Sequence, residues 1–143
     1  MIVILTDVNV LLHAHREEAA DHRRFRSWLE SVIEQPEAFG VSEIVLSAFV
    51  RVATHRRVYD PPTPLEFALA FCRLLREQPN AIIISPGARH WSIFTDLCRR
   101  ANARGGLVAD AYLAAMAIES GCEWVTTDRD FSRFPGLRWR HPF

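Results

Sequence analysis

The sequence predicts an α/β domain, a central and mainly parallel sheet with helices on both of its faces. Three observations carry that reading. IVIL at 2–5, AIII at 81–84 and the shorter EWV at 123–125 have strand length, and they lack the alternation of a strand with one wet face. The longer segments between them place apolar residues at helical spacing. Gly and Pro stand at the joints, and strands that alternate with helices in this way build parallel βαβ units.

Taken in order, IVILTD opens as a buried strand and VNVLLHAH follows with helical spacing. AADHRRFRSWLESVIEQ puts Phe25, Trp28, Leu29, Val32 and Ile33 on one face and leaves Arg23, Arg24 and Arg26 largely off it, so this segment is an amphipathic helix. Pro36 stops it, and FGV forms a short strand. Ser42 is a helix cap, because its hydroxyl accepts from first-turn amides, and EIVLSAFVRVATH is the helix it starts. DPPTP at 60–64 is a rigid link and not a domain boundary, since the helix LEFALAFCRLLREQ follows at once. AIIIS at 81–85 is a strand, and PGARHWSIFTDLCRRANA is a helix after its Pro-Gly turn, broken by RGG. LVADAYLAAMAIESG is an Ala- and Leu-rich helix ending at Gly121, and EWVTT and LRWR complete the strands.

With 143 residues the chain suffices for one core, and the sequence is read as a single domain over residues 1–143. No apolar stretch approaches the ~20 residues of a membrane span. MIVILTD lacks a basic leader and meets Asp7 before a signal core is complete, so it is read as a strand of a cytoplasmic protein. Cys72, Cys98 and Cys122 are odd in number and widely spaced, which fits neither a disulfide framework nor a CxxC metal site. The formal charge is zero, yet all 17 basic residues are arginine. Arginine grips phosphate with a bidentate fork, and a mechanism that needs a lysine is excluded.

The carboxyl ends of the strands in such a sheet border the crevice where ligands bind. Asp7 closes the first strand and Asp128, with Asp130, closes a later one; Asp110 lies near the start of its helix and Glu43 in the first turn of another. Carboxylates crowded together repel, and a hard divalent cation with oxygen ligands, Mg²⁺ or Mn²⁺, is the usual compensation. Each residue also has a purely structural account. Asp7 is a helix cap, Glu43 and Asp110 favour helix dipoles, and Asp128 with Asp130 forms an Asx-turn.

LTDVNVLLHA, VSEIVLSAFVRVATHRRVY, SPGARHW, LVADAYLAAMAIESG and WVTTDRDFSRFPGLRW, in this order, resemble the PIN-domain ribonucleases, and among them the VapC toxins of bacterial toxin–antitoxin pairs, especially the branch abundant in mycobacteria. The resemblance spans essentially the whole chain. It implies a three-layer α/β/α fold and an endoribonuclease dependent on Mg²⁺, with Mn²⁺ as substitute. It assigns Asp7 and Asp110 as the main metal ligands, completed by Glu43 and Asp128, with Asp130, Asn9 and Thr127 supporting them. One departure stands out. Many PIN domains carry the helix glutamate three residues before an arginine, and that place, counted from Arg51, is Ala48 here; Glu43 is the only acid between Glu37 and Asp60.

Holding a polyanion beside an acidic pocket requires cations. Arg51 and Arg56, with Arg57, follow Glu43, and Arg129 separates the two terminal acids; each is as readily a solvated surface charge as an RNA contact. The resemblance further implies a homodimer and a VapB-like antitoxin, forming a higher-order complex. A haloacid-dehalogenase-type phosphatase also opens with a strand and an Asp, but it wants a second Asp two residues on, where this chain has Asn9. A housekeeping RNA-processing PIN nuclease and a catalytically silent RNA-binding scaffold are the other readings.

Overall fold

Apolar runs and amphipathic segments alternate along the chain, and the backbone follows them. The computed structural model describes residues 2–143. Strand β1 (Ile4–Thr6) leads into helices α1 (Val8–His15) and α2 (His22–Glu34), and β2 (Phe39–Val41) into α3 (Glu43–Ala53) and α4 (Leu65–Arg76). Strand β3 (Ala81–Ile83) is followed by α5 (His90–Ala101) and α6 (Gly106–Ser120), and β4 (Glu123–Val125) by a 3₁₀ turn (Arg129–Arg133) and β5 (Trp139–Arg140).

The sheet has five strands in the order β3-β2-β1-β4-β5, and every pair is parallel. The first two crossovers step from β1 outward to β3, while the third returns across the sheet to β4. Right-handed crossovers running in opposite directions land on opposite faces. The packing agrees: α1 contacts α2 and α3, α3 contacts α4, and α5 pairs with α6. The order reverses between β1 and β4, which is where a sheet of this kind opens a crevice.

Trp124, Phe49, Phe131, Leu5, Leu11 and Met116 are fully buried at the centre. The three cysteines are free, Cys72 and Cys122 buried and Cys98 partly so. Gly121 ends α6 at φ 70°, the left-handed conformation that glycine adopts without a Cβ penalty. Among the described residues no helix is long and apolar enough to cross a membrane.

The elements are shorter than their apolar runs. β3 lies at the sheet edge, and there the covering gives out, with Ile82 40% and Ile83 46% exposed. The PGAR segment stays outside α5. Its Gly87 and Arg89 amides donate to the Glu119 carboxylate at 2.6 and 2.9 Å, which draws the loop to the end of α6 before the next helix begins.

Candidate active site

β1 and β4 are neighbours, so the residues that follow them meet at one edge. Asp7, directly after β1, caps α1: its Oδ1 accepts from the Val8 amide at 2.7 Å. Its Oδ2 accepts from the Thr126 hydroxyl at 2.7 Å and from Asn9 Nδ2 at 3.2 Å. Asp7 is buried, 6% exposed. Burial raises its pKa above the ordinary value, and the Asp128 charge adds to this, against the Thr126, Val8 and Asn9 hydrogen bonds.

Asp110 lies in the second turn of α6, whose Ala111, Ala114 and Ala115 are fully buried against the core. Its carboxyl is pushed up to about 6, first by burial and then by Asp128, Asp7 and Asp130. No hydrogen bond opposes that shift. Asp7, Asp110 and Asp128, far apart in the chain, thus share one electrostatic environment.

Asp128 also realises the Asx-turn reading, since its Oδ1 accepts from the Asp130 amide at 2.9 Å and caps the 3₁₀ turn. Asp130 is exposed in that turn. Asn9 spans the crevice: its amide donates to Asp7, and its Oδ1 accepts from the Thr127 backbone amide at 3.2 Å. The hydroxyl that holds Asp7 therefore belongs to Thr126, one position before the Thr127 singled out in the sequence. Thr126 is fully buried, and its Oγ1 also accepts from the Asp128 amide at 3.0 Å. No sequence signal separates the two adjacent threonines, because both lie past the end of β4, where strand alternation no longer assigns sides.

Glu43 is not drawn into this cluster. It starts α3 after the Ser42 cap, and its Oε2 meets Arg76 Nη2 at 3.1 Å with the carboxylate side chain 63% exposed. It is absent from the charges acting on Asp7 and Asp110. Arg51 is exposed eight residues further along α3, roughly 12 Å at 1.5 Å per residue, and exposed Arg56 lies beyond that helix. Arg129 is exposed between Asp128 and Asp130. Among the described residues no three His, Cys, Asp or Glu side chains form a group ready to hold a metal ion. Asp7, Asp110 and Asp128, whose charges act on one another, are all carboxylates, and none of them is in an ion pair among the described residues; carboxylate oxygens are the donors a hard divalent cation takes.

The PIN domain family matches residues 4–137. Over 140 residues, 98% of this chain and 95% of the relative, the chain is 41% identical to the VapC ribonuclease Mb2897 of Mycobacterium bovis. This chain belongs to the VapC family of PIN domains. Ribonuclease VapC25 of Mycobacterium tuberculosis is 40% identical over 98% of this chain and 99% of its own length. Among solved structures, VapBC2 from Rickettsia felis, bound to a DNA fragment from its promoter, aligns over 99% of this chain and 98% of its own with a TM-score of 0.71. At 18% identity that likeness shows the fold of this VapC-family chain.

Proposed function

We propose that this chain is the toxin of a type II toxin–antitoxin pair: a divalent-cation-dependent endoribonuclease that works in the cytoplasm and whose RNA cleavage inhibits translation and growth. The observation that carries the reading is the convergence of buried Asp7 with Asp110 and Asp128 at the sheet's reversal point, where the Asp128 charge raises the proton affinity of both Asp7 and Asp110, and Asp7 raises that of Asp110. Surface acids with merely structural duties do not accumulate in that way. Family membership supports RNA as the substrate, since the relatives are named ribonucleases.

Mg²⁺, with Mn²⁺ as substitute, would be held by Asp7, Asp110 and Asp128, completed by Glu43 and supported by Asp130. When bound, it supplies an activated water and neutralises charge developing on the phosphodiester. The residues of the chain do the positioning. Thr126 and Asn9 fix the Asp7 carboxylate, and the Asp128 turn holds its own carboxylate on a short loop. Arg129, exposed between two acids, Arg51 further along α3 and Arg56 beyond its end offer cations to the RNA backbone. The expected products carry 5′-phosphate and 3′-hydroxyl ends. The expected assembly is a homodimer, silenced by a VapB-like antitoxin in a higher-order complex; antitoxin-bearing VapBC complexes among the structural neighbours support that partner.

Asp7→Asn tests the reading directly. The amide keeps an acceptor for Val8, so the fold is retained while the charge is lost. Induced wild-type protein arrests growth, and purified protein cleaves RNA only with Mg²⁺ or Mn²⁺; the variant does neither. Growth arrest by a folded Asp7→Asn protein, or full cleavage in EDTA, refutes the proposal.

A further inference from the structure

Glu43 has the location of a site residue and the contacts of a paired surface acid. Its backbone is fixed at the head of α3, where the buried Ser42 hydroxyl accepts from the Val45 amide at 3.4 Å. β2 precedes it and pairs with β1, so Glu43 starts from the same edge as Asp7. The end of α4 is locked beside that helix head. Leu75 is 3% exposed, Cys72 Sγ lies 3.9 Å from the Leu46 carbonyl oxygen, and Ser42, Val45, Leu46 and Leu75 line one small enclosed space. One residue past Leu75, Arg76 meets Glu43. Buried packing thus brings this guanidinium to this carboxylate, while both charged ends stay largely in water. Among the described residues Asp7, Asp110 and Asp128 have no such partner: the ion pairs are Arg16 with Glu18, Arg26 with Glu30, Arg76 with Glu43, Arg100 with Asp96 and Arg140 with Glu123.

We propose that Arg76 is a positioning residue for Glu43, holding that carboxylate away from Asp7, Asp110 and Asp128 and competing for it with the divalent cation. The inference rests on the cation-dependent reading above. It explains why the chain shows three converging acids and a fourth turned aside. Exposed ion pairs shift an equilibrium by a factor of roughly two to five, enough to tune cation affinity and small enough to yield to a doubly charged ion already attracted by three carboxylates. Arginine suits this duty because it does not deprotonate, so the competition persists at every working pH.

A double-mutant cycle read by Mn²⁺ titration calorimetry at physiological ionic strength tests it, using wild type, Arg76→Ala, Glu43→Gln and the double variant. Arg76→Ala is expected to bind Mn²⁺ about two- to fivefold more tightly than wild type, with no gain when Glu43 is already glutamine. Arg76→Gln should repeat the gain while keeping much of the side chain, and unchanged urea midpoints confirm that the exposed substitutions leave the fold intact. No gain, or an equal gain in both Glu43 backgrounds, overturns the proposal, the latter because the effect is then general charge and does not pass through Glu43. If wild type binds no Mn²⁺, the cation-dependent reading falls and takes this one with it; if all four proteins bind and the cycle is additive, the role of Arg76 alone falls.

Discussion

The Thr126 side chain is out of water and makes three hydrogen bonds, donating to Asp7 at 2.7 Å and accepting from the Asp128 amide at 3.0 Å and from Asn9 Nδ2 at 3.4 Å. Thr126→Val keeps the shape and removes all three bonds, leaving the Asp128 amide without that acceptor. The expected loss is about 10- to 100-fold in RNA cleavage and about 1–3 kcal/mol in stability, measured by initial rates and urea midpoints. Unchanged cleavage would remove Thr126 from the site. Asp110 makes a separate prediction through its proton. Its folded pKa, about 6, lies above the ordinary 3.8, so the folded state binds the proton more tightly. Its contribution to stability is therefore full below about pH 4 and is lost as pH rises through about 6. In cation-free buffer, Asp110→Asn should be more stable than wild type near pH 7 and converge with it toward pH 4. Parallel pH profiles for the two proteins would refute the shared-environment account. At this scale the placement of Asp7 after a strand, of Asp110 near a helix start and of Asp128 after a later strand was legible, because the apolar runs mark those strand ends and helix starts. Thr126 was obscured by the adjacent Thr127. The turn of Glu43 toward Arg76 could not be read locally, since its partner lies on another helix.

Among the elements, the helices were legible because their buried residues recur at helical spacing, as Phe25, Leu29 and Val32 do along α2. The strand order was not, because three-residue strands carry no mark of their neighbours. Two polar or small residues hold the join between α2, β2 and β3, and neither stands out in a hydropathy pattern. Asn80 Nδ2 donates to the carbonyls of Val32, Gln35 and Glu37 at 3.2, 2.9 and 2.9 Å, satisfying acceptors that the end of α2 leaves open. Asn80→Ala is expected to cost about 2 kcal/mol, seen as a lower urea midpoint at unchanged slope, and an unaltered midpoint would mean that water serves those carbonyls equally well. Gly40 sits in β2 between β1 and β3, where an added Cβ would lie 3.0 Å from Ile84 Cγ1 and 3.2 Å from the Ile4 carbonyl oxygen. The backbone on one side cannot swing away as a side chain would, so the close approach demands glycine.

Across the whole molecule, a formal charge of zero conceals an acidic edge, assembled after β1, after β4 and on α6 by a sheet whose order reverses between β1 and β4. The acids that repel one another there work against folding, and on the proposed reading a cation that compensates them favours the folded state, because the unfolded chain does not bring them together. Binding restricted to the folded state adds RT ln(1 + [L]/Kd), about 2.7 kcal/mol at a hundredfold excess over Kd, or about 5–10 °C in melting temperature for a chain of this size. Mn²⁺ should therefore raise the melting temperature of wild type near pH 7 by about that much, reversibly with EDTA. The rise should shrink near pH 5, where Asp110, with its carboxyl at about 6, holds a proton that the ion must displace. Asp7→Asn should melt at nearly the same temperature with and without Mn²⁺. A wild-type rise that grows toward pH 5, or one that survives Asp7→Asn intact, would locate the ion elsewhere on the surface and detach the acidic edge from metal chemistry.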